Sequence, residues 1–203
     1  MFSYPSAEAV LDDLGDKVVG GLVDATKATK VDLTLYRETF PSWVADHGER
    51  GLANWLHDRL WSHLRRGFVD IDSVTMADEG VLREIVVGMK YRARVKRHSA
   101  HDRIRSFPTT AALAFWAQSD TLAGMEEVRL GFGYRWDPEL REIGSALISL
   151  RDGLGADAIW AVEVNGGAGE AGGTAIAWTP VDPSLPQIDL YSVIAETDEE
   201  QGT

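Results

Sequence analysis

The chain contains no cysteine, so it can build no disulfide, thiolate nucleophile or zinc–thiolate centre. No apolar run approaches the ~20 residues that a membrane-spanning helix needs. The opening Met1-Phe2-Ser3-Tyr4-Pro5 lacks the basic and apolar segments of a secretory signal, so a cytoplasmic protein with no membrane partner is expected. Asparagine occurs twice, and lysine five times against fifteen arginines, a usage that points to a GC-rich genome and not to a function. Motifs that carry a mechanism are missing too. There is no P-loop, no G-x-S-x-G and no H-E-x-x-H. The carboxylate that a nuclease core places two residues before a strand lysine is replaced by Gly88 before Lys90 and by Arg94 before Lys96. No cofactor and no metal are expected.

What is present is apolar and acidic. The 203 residues are 44% hydrophobic and include seven Trp, six Phe and five Tyr, enough for one domain with a sizeable core. That domain is expected over residues 1–195, with an acidic tail at 196–203. A net charge of −12 works against binding of nucleic acid by the surface as a whole and leaves only a local patch for it.

One stretch carries such a patch. From Val81 the odd positions Val81, Ile85, Val87, Met89, Tyr91, Ala93 and Val95 are apolar or aromatic, while Lys90, Arg92, Arg94 and Lys96 fall on even positions. This alternation predicts a long strand with one face on a core and one in water, bent or bulged at Gly88. Residues 83–105 hold Arg83, Lys90, Arg92, Arg94, Lys96, Arg97, Arg103 and Arg105 against Glu84 and Asp102, a net of +6 in a chain of −12. Positive charge gathered onto one element suits an anionic partner, and the anion-binding candidates are Lys90, Arg92, Arg94, Lys96, Arg97, Arg103 and Arg105. The competing reading is neutralisation within the fold or between subunits. A hairpin turn at Asp78-Glu79-Gly80, after an incoming strand over residues 69–77, would set Asp72 opposite Val86 and Asp70 opposite Gly88.

The remaining elements follow from caps and periodicity. Ser6 caps a first helix that Gly15, Gly20 and Gly21 weaken; residues 31–36 read as a short strand or extended link. Leu52, Trp55, Leu56, Leu60 and Leu64 form one stripe of a helix over residues 49–66, with Gly67 as its C-cap. His57 and His63, six apart, read as structural. Thr109 and Thr110 lead into a short buried helix over residues 111–118. Residues 128–136 form a strand with aromatics on one face and Gly131 and Gly133 on the other, which allows close approach. Asp137-Pro138-Glu139 reads as a helix start. Strands are expected over residues 145–151, 158–164 and 174–180. Gly167-Ala168-Gly169-Glu170-Ala171-Gly172 matches G-x-G-x-x-G, but a strand follows it where a dinucleotide site needs a helix, so it reads as a hairpin loop. The class is α+β: N-terminal helices packed on a largely antiparallel sheet of five or six strands.

His98-Ser99-Ala100-His101-Asp102 lies beside Lys96, Arg97 and Arg103. His98 and His101, with Asp102, are the catalytic candidates of a metal-independent ribonuclease-like reading, acting as acid and base at a phosphate held by cations. The runs Arg94-Val95-Lys96-Arg97-His98, Phe107-Pro108-Thr109, Ala114-Phe115-Trp116-Ala117-Gln118 and Gly133-Tyr134-Arg135-Trp136-Asp137 resemble small uncharacterised proteins scattered through actinobacterial chromosomes, plasmids and phages. That resemblance covers about the last two thirds of the chain. It implies a role in mobile-element defence, immunity or toxin–antitoxin pairing. The leading expectation is a non-enzymatic binding protein whose basic strand and loop, residues 90–105, engage nucleic acid or an acidic protein surface. The alternatives are the ribonuclease-like toxin and a homo-oligomer that buries the basic face at its interface.

Overall fold

A computed structural model describes residues 4–79, 82–118, 127–166 and 176–180. The glycine-rich run at 167–172 and the acidic tail lie outside the described residues. Helix α1 spans Ala7–Thr39 and is capped by Ser6, whose Oγ accepts from the Ala9 backbone N–H at 3.2 Å. It is kinked only at Gly15, where φ is 74° and ψ 163°. Gly20 and Gly21 do not break it. Residues 31–36, expected to be extended, are helical. The buried stripe Val18, Val19, Leu22, Val23 continues through Thr26 and Thr29 to Leu33, and the two threonines conceal it in a hydrophobicity reading. Thr29 stays dry by donating its hydroxyl to the Ala25 carbonyl at 2.7 Å.

Helix α2, Pro41–Asp46, leads to α3, Glu49–Gly67, which has Phe68 as its C-cap. Leu52, Leu56, Leu60 and Leu64 are all fully buried, each worth about 1.5–3 kcal/mol of transfer free energy. The Phe68 ring fills the space over Gly21, where a Cβ would stand 2.6 Å from it. That contact lets α1 and α3 pack closely.

The two long helices cover one face of a seven-stranded sheet in sequence order: β1 Val74–Glu79, β2 Leu82–Val87, β3 Tyr91–His98, β4 Val128–Asp137, β5 Glu142–Arg151, β6 Ala158–Gly166 and β7 Ile176–Pro180. All neighbours are antiparallel except β3 and β4. The chain between those two includes α4, Thr110–Trp116, capped by Thr109 Oγ1 accepting from Ala112 N–H at 3.1 Å. Trp116 packs beside Gly131, on the sheet face away from the long helices. The α+β class therefore holds, with helices on a largely antiparallel sheet. Among the described residues no helix is long and apolar enough to cross a membrane.

Three local expectations are corrected. The long basic strand is two strands: Gly88, at φ 59°, is part of a tight turn that folds β3 back on β2 with Val87 opposite Tyr91, a backbone conformation that favours glycine. The preceding hairpin pairs Glu79 with Leu82 and Asp78 with Arg83. Asp70 and Asp72 precede β1 and pair with no strand. Asp137-Pro138-Glu139 starts no helix. Asp137 Oδ1 accepts from the Glu139 and Leu140 N–H groups at 2.9 and 3.0 Å, and Arg141, at φ 53°, closes a hairpin into β5. The cap signal is real, but it caps a turn.

Candidate anion-binding cleft

Strand β3 divides its side chains as alternation requires. Tyr91, Ala93 and Val95 are buried toward the long helices, while Arg92, Arg94 and Lys96 project from the opposite face. The reversal at Gly88 brings Glu84 of β2 beside them. Glu84 Oε1 lies 2.5 Å from Arg94 Nη2, and its Oε2 lies 3.3 Å from Arg92 Nη1. Glu127, just before β4, accepts from Arg92 Nε at 2.6 Å and from Arg129 Nε at 2.8 Å. Lys90 meets Asp13 of α1 at 2.7 Å, and this hydrogen bond holds the lysine above its usual pKa and the carboxyl below its own. The Arg94 guanidinium also lies 3.9 Å from the Phe115 ring centroid, a favourable cation–π distance. Lys90, Arg92 and Arg94 are thus neutralised within the chain, but by Asp13, Glu84 and Glu127 and not by Asp70 and Asp72.

The other end of β3 differs. It runs past β2, whose pairing with it stops at Ile85 opposite Ala93, and ends at a cleft of about 730 Å³ between α3, the end of β3, residues 99–105 and the start of the β4–β5 turn. Lys96, Arg97, Arg103 and Arg105 line it against one carboxylate, Glu49, with His57 and His101 adding ring nitrogens. Arg97 reaches Glu49 at 3.3 Å and lies 5.1 Å from the Trp136 ring centroid, an aromatic floor that fixes the guanidinium. Arg103 pairs with Asp157 at 3.1 Å, with both side chains more than 70% exposed, so the pair stabilises little. Arg105 is exposed and has no ion pair among the described residues.

The loop that presents these groups is pinned. Ser99 N–H donates to the Arg103 carbonyl at 2.9 Å, Asp102 N–H to the Ser99 carbonyl at 3.0 Å, and His98 bridges to Ile104. Ser99 Oγ accepts from the backbone N–H groups of His101 and Arg103. Asp102 takes φ 56° at the tip, a conformation its short polar side chain tolerates. His101, Arg103 and Arg105 stay exposed at alternate positions.

Lys96 has no carboxylate partner among the described residues; its ammonium donates to Ser106 Oγ at 3.2 Å. Burial, and then Arg94, hold its pKa down to about 8. Burial, with Arg83 and Lys96, also lowers His57. Arg83 Nη1 lies 3.3 Å from His57 Nδ1. Since a guanidinium only donates, the neutral ring carries its proton on Nε2.

The proposed catalytic residues are not brought together in the open. The His98 side chain is fully buried, with Nε2 2.9 Å from Ser149 Oγ, and burial together with Arg151 and Arg135 depresses its pKa to about 3. Asp102 is also buried, and its carboxylate pairs with Arg135 at 2.7 Å. Only His101 faces water. A neutral imidazole sealed against Ser149 cannot shuttle protons to a bound strand, so this geometry does not favour the acid–base reading. Among the described residues no group of three His, Asp or Glu side chains is placed to hold a metal ion.

Gly131 leaves room for this buried cluster, since a Cβ there would stand 2.7 Å from Ser149 Oγ, 3.4 Å from His98 Nε2 and 3.6 Å from Trp116. The close approach expected over the glycine face is therefore made by the protein's own side chains. Nothing local in the sequence marks His57, Glu49 and Trp136 as cleft residues. Their sequence neighbours are ordinary helix and strand positions, and only the topology brings them to Arg97.

Comparison of the chain with protein-family models, curated proteins and solved structures finds no match.

Proposed function

We propose that this is a non-enzymatic binding protein that takes phosphate groups of a nucleic acid in the cleft at the end of β3. The observation that carries this is an imbalance. Four cations line the cleft against one carboxylate among its lining residues. Lys96 and Arg105 have no ion pair among the described residues, and Arg97 and Arg103 pair only with the exposed Glu49 and Asp157, whereas each cation nearer the start of β3 is paired. Leaving cations this sparsely compensated costs stability, and an anionic ligand offsets that cost. Arginines predominate, and their planar fork suits phosphate oxygens. Compared with the expected patch, the contact set shifts toward Lys96, Arg97, Arg103 and Arg105, with His57 and His101 as additional donors.

Fluorescence anisotropy with end-labelled RNA, single-stranded DNA and duplex DNA, at two salt concentrations, tests the proposal. Binding that weakens with salt and drops at least tenfold in an Arg97→Gln, Arg105→Gln double variant supports it. An unchanged Arg92→Gln control would place the contact in the cleft and not along the whole strand. No binding of any nucleic acid at low salt overturns the proposal, and binding of an acidic polypeptide in its place would identify a protein partner.

A further inference from the structure

We infer that the cleft recognises a terminal phosphomonoester, at the end of a strand or on a free nucleotide, and not the internal phosphodiesters of a nucleic-acid backbone. This rests on the phosphate-binding reading above and narrows it.

A backbone-binding surface offers cations as a track, because successive phosphates lie several ångströms apart along a strand. Here the sparsely compensated cations line a single cleft. Back along β3 from the cleft, Arg94 and Arg92 are each within 3.3 Å of Glu84, Arg92 is also held by Glu127, and Lys90 is held by Asp13. A strand continuing in that direction would meet cations already compensated and carboxylates that repel it. The rim has the same character, since Glu49 and Asp157 accompany Arg97 and Arg103. The rest of the molecule carries the excess of a −12 chain. Repulsion therefore grows with each further phosphate bound.

The shape agrees. The donors come from three elements: His57 from α3, Arg97 from β3, and His101, Arg103 and Arg105 from the loop and its exit. An internal phosphodiester has one charge, two free oxygens and a chain leaving on each side. A terminal monoester has three free oxygens and up to two charges near neutral pH, so it can accept from more of a donor set drawn from three elements. The volume of about 730 Å³ falls within the range of sites that hold one small ligand and not a length of strand.

The test compares four probes against the full chain: a single-stranded RNA labelled at its 3′ end and carrying a 5′-phosphate, the same RNA with a 5′-hydroxyl, a nucleoside 5′-monophosphate and the parent nucleoside. The inference predicts at least tenfold tighter binding of the 5′-phosphorylated strand than of its hydroxyl twin. It also predicts competition by the monophosphate but not by the nucleoside, and loss of the preference in Arg105→Gln, whose exposed side chain bears no part of the fold. Equal affinity for the two strands overturns the inference while leaving the nucleic-acid reading standing. Binding of the monophosphate with neither strand supports the inference, identifies a free nucleotide as the source and overturns the nucleic-acid reading. Binding of none of the probes overturns both.

Discussion

Glu84 Oε1 lies 2.5 Å from Arg94 Nη2, and both side chains are nearly buried, at 10% and 14% exposure. The pair exists because Gly88 turns β3 back on β2, and the same carboxylate also reaches Arg92. The strand's charge is thus spent at one end and kept at the other. Glu84→Gln should leave Arg94 without its counter-charge and cost about 2–4 kcal/mol, somewhat under the loss seen when fully buried pairs are broken. Asp13→Asn, at a pair about half exposed, should cost under ~1 kcal/mol. Urea unfolding of the two variants measures the contrast.

Gly133 makes the closest approach among the described glycines, since a Cβ there would stand 1.7 Å from the Lys96 carbonyl oxygen. Gly133→Ala has to force β3 and β4 apart. It should cost at least ~3 kcal/mol or abolish folding, read as loss of the cooperative thermal transition. Gly131→Ala, facing a Ser149 hydroxyl that can rotate away only by giving up its contact with His98, should cost about 1–3 kcal/mol.

His98 gives stability a pH dependence of known sign. Its folded pKa is about 3 against an ordinary 6.5, so between those values the unfolded chain binds more protons, and stability falls as pH falls below about 6.5. His57, also depressed, acts in the same direction. The slope from His98 should reach at most ~1.4 kcal/mol per pH unit. Urea midpoints at pH 7 and pH 5 should fall less in His98→Gln than in the wild type.

Lys96 should make anion binding weaken as pH rises. In the free protein its ammonium loses its proton near pH 8, with Arg94 beside it on the strand and His57, Arg97 and Glu49 around the cleft. A bound anion favours the charged form. Binding at pH 8 should therefore take up protons, and affinity should decline between pH 7 and 9. Calorimetry in buffers of different ionisation enthalpy detects the uptake, and Lys96→Arg should abolish it.

The leucine stripe of α3, the caps at Ser6 and Thr109, and the inward face of β3 were all readable, because each is written within a few residues of sequence. The neutralisation of the basic strand was not. Asp13 lies 77 positions from Lys90 and Glu127 lies 35 from Arg92, separations that only the fold closes. A bend at Gly88 was readable, but not a full reversal, because apolar alternation continues across it through Met89, which is fully exposed. Even so, the charge concentration at residues 96–105 was visible as composition. What could not be read there was that His98 turns inward to Ser149 while His101 stays out.

The parallel seam between β3 and β4 also bears on how the chain finds its structure. The strands β1 to β3 can zip up through short turns, as can β4 to β6, but β3 and β4 are separated by the 29 residues between His98 and Val128. Closing that long connection carries an entropic cost before any seam contact rewards it, so docking of the halves is the step expected to limit folding. The cleft lies at the end of this seam, and its lining residues on α3, β3, the following loop and β4 come together only when the two halves are joined.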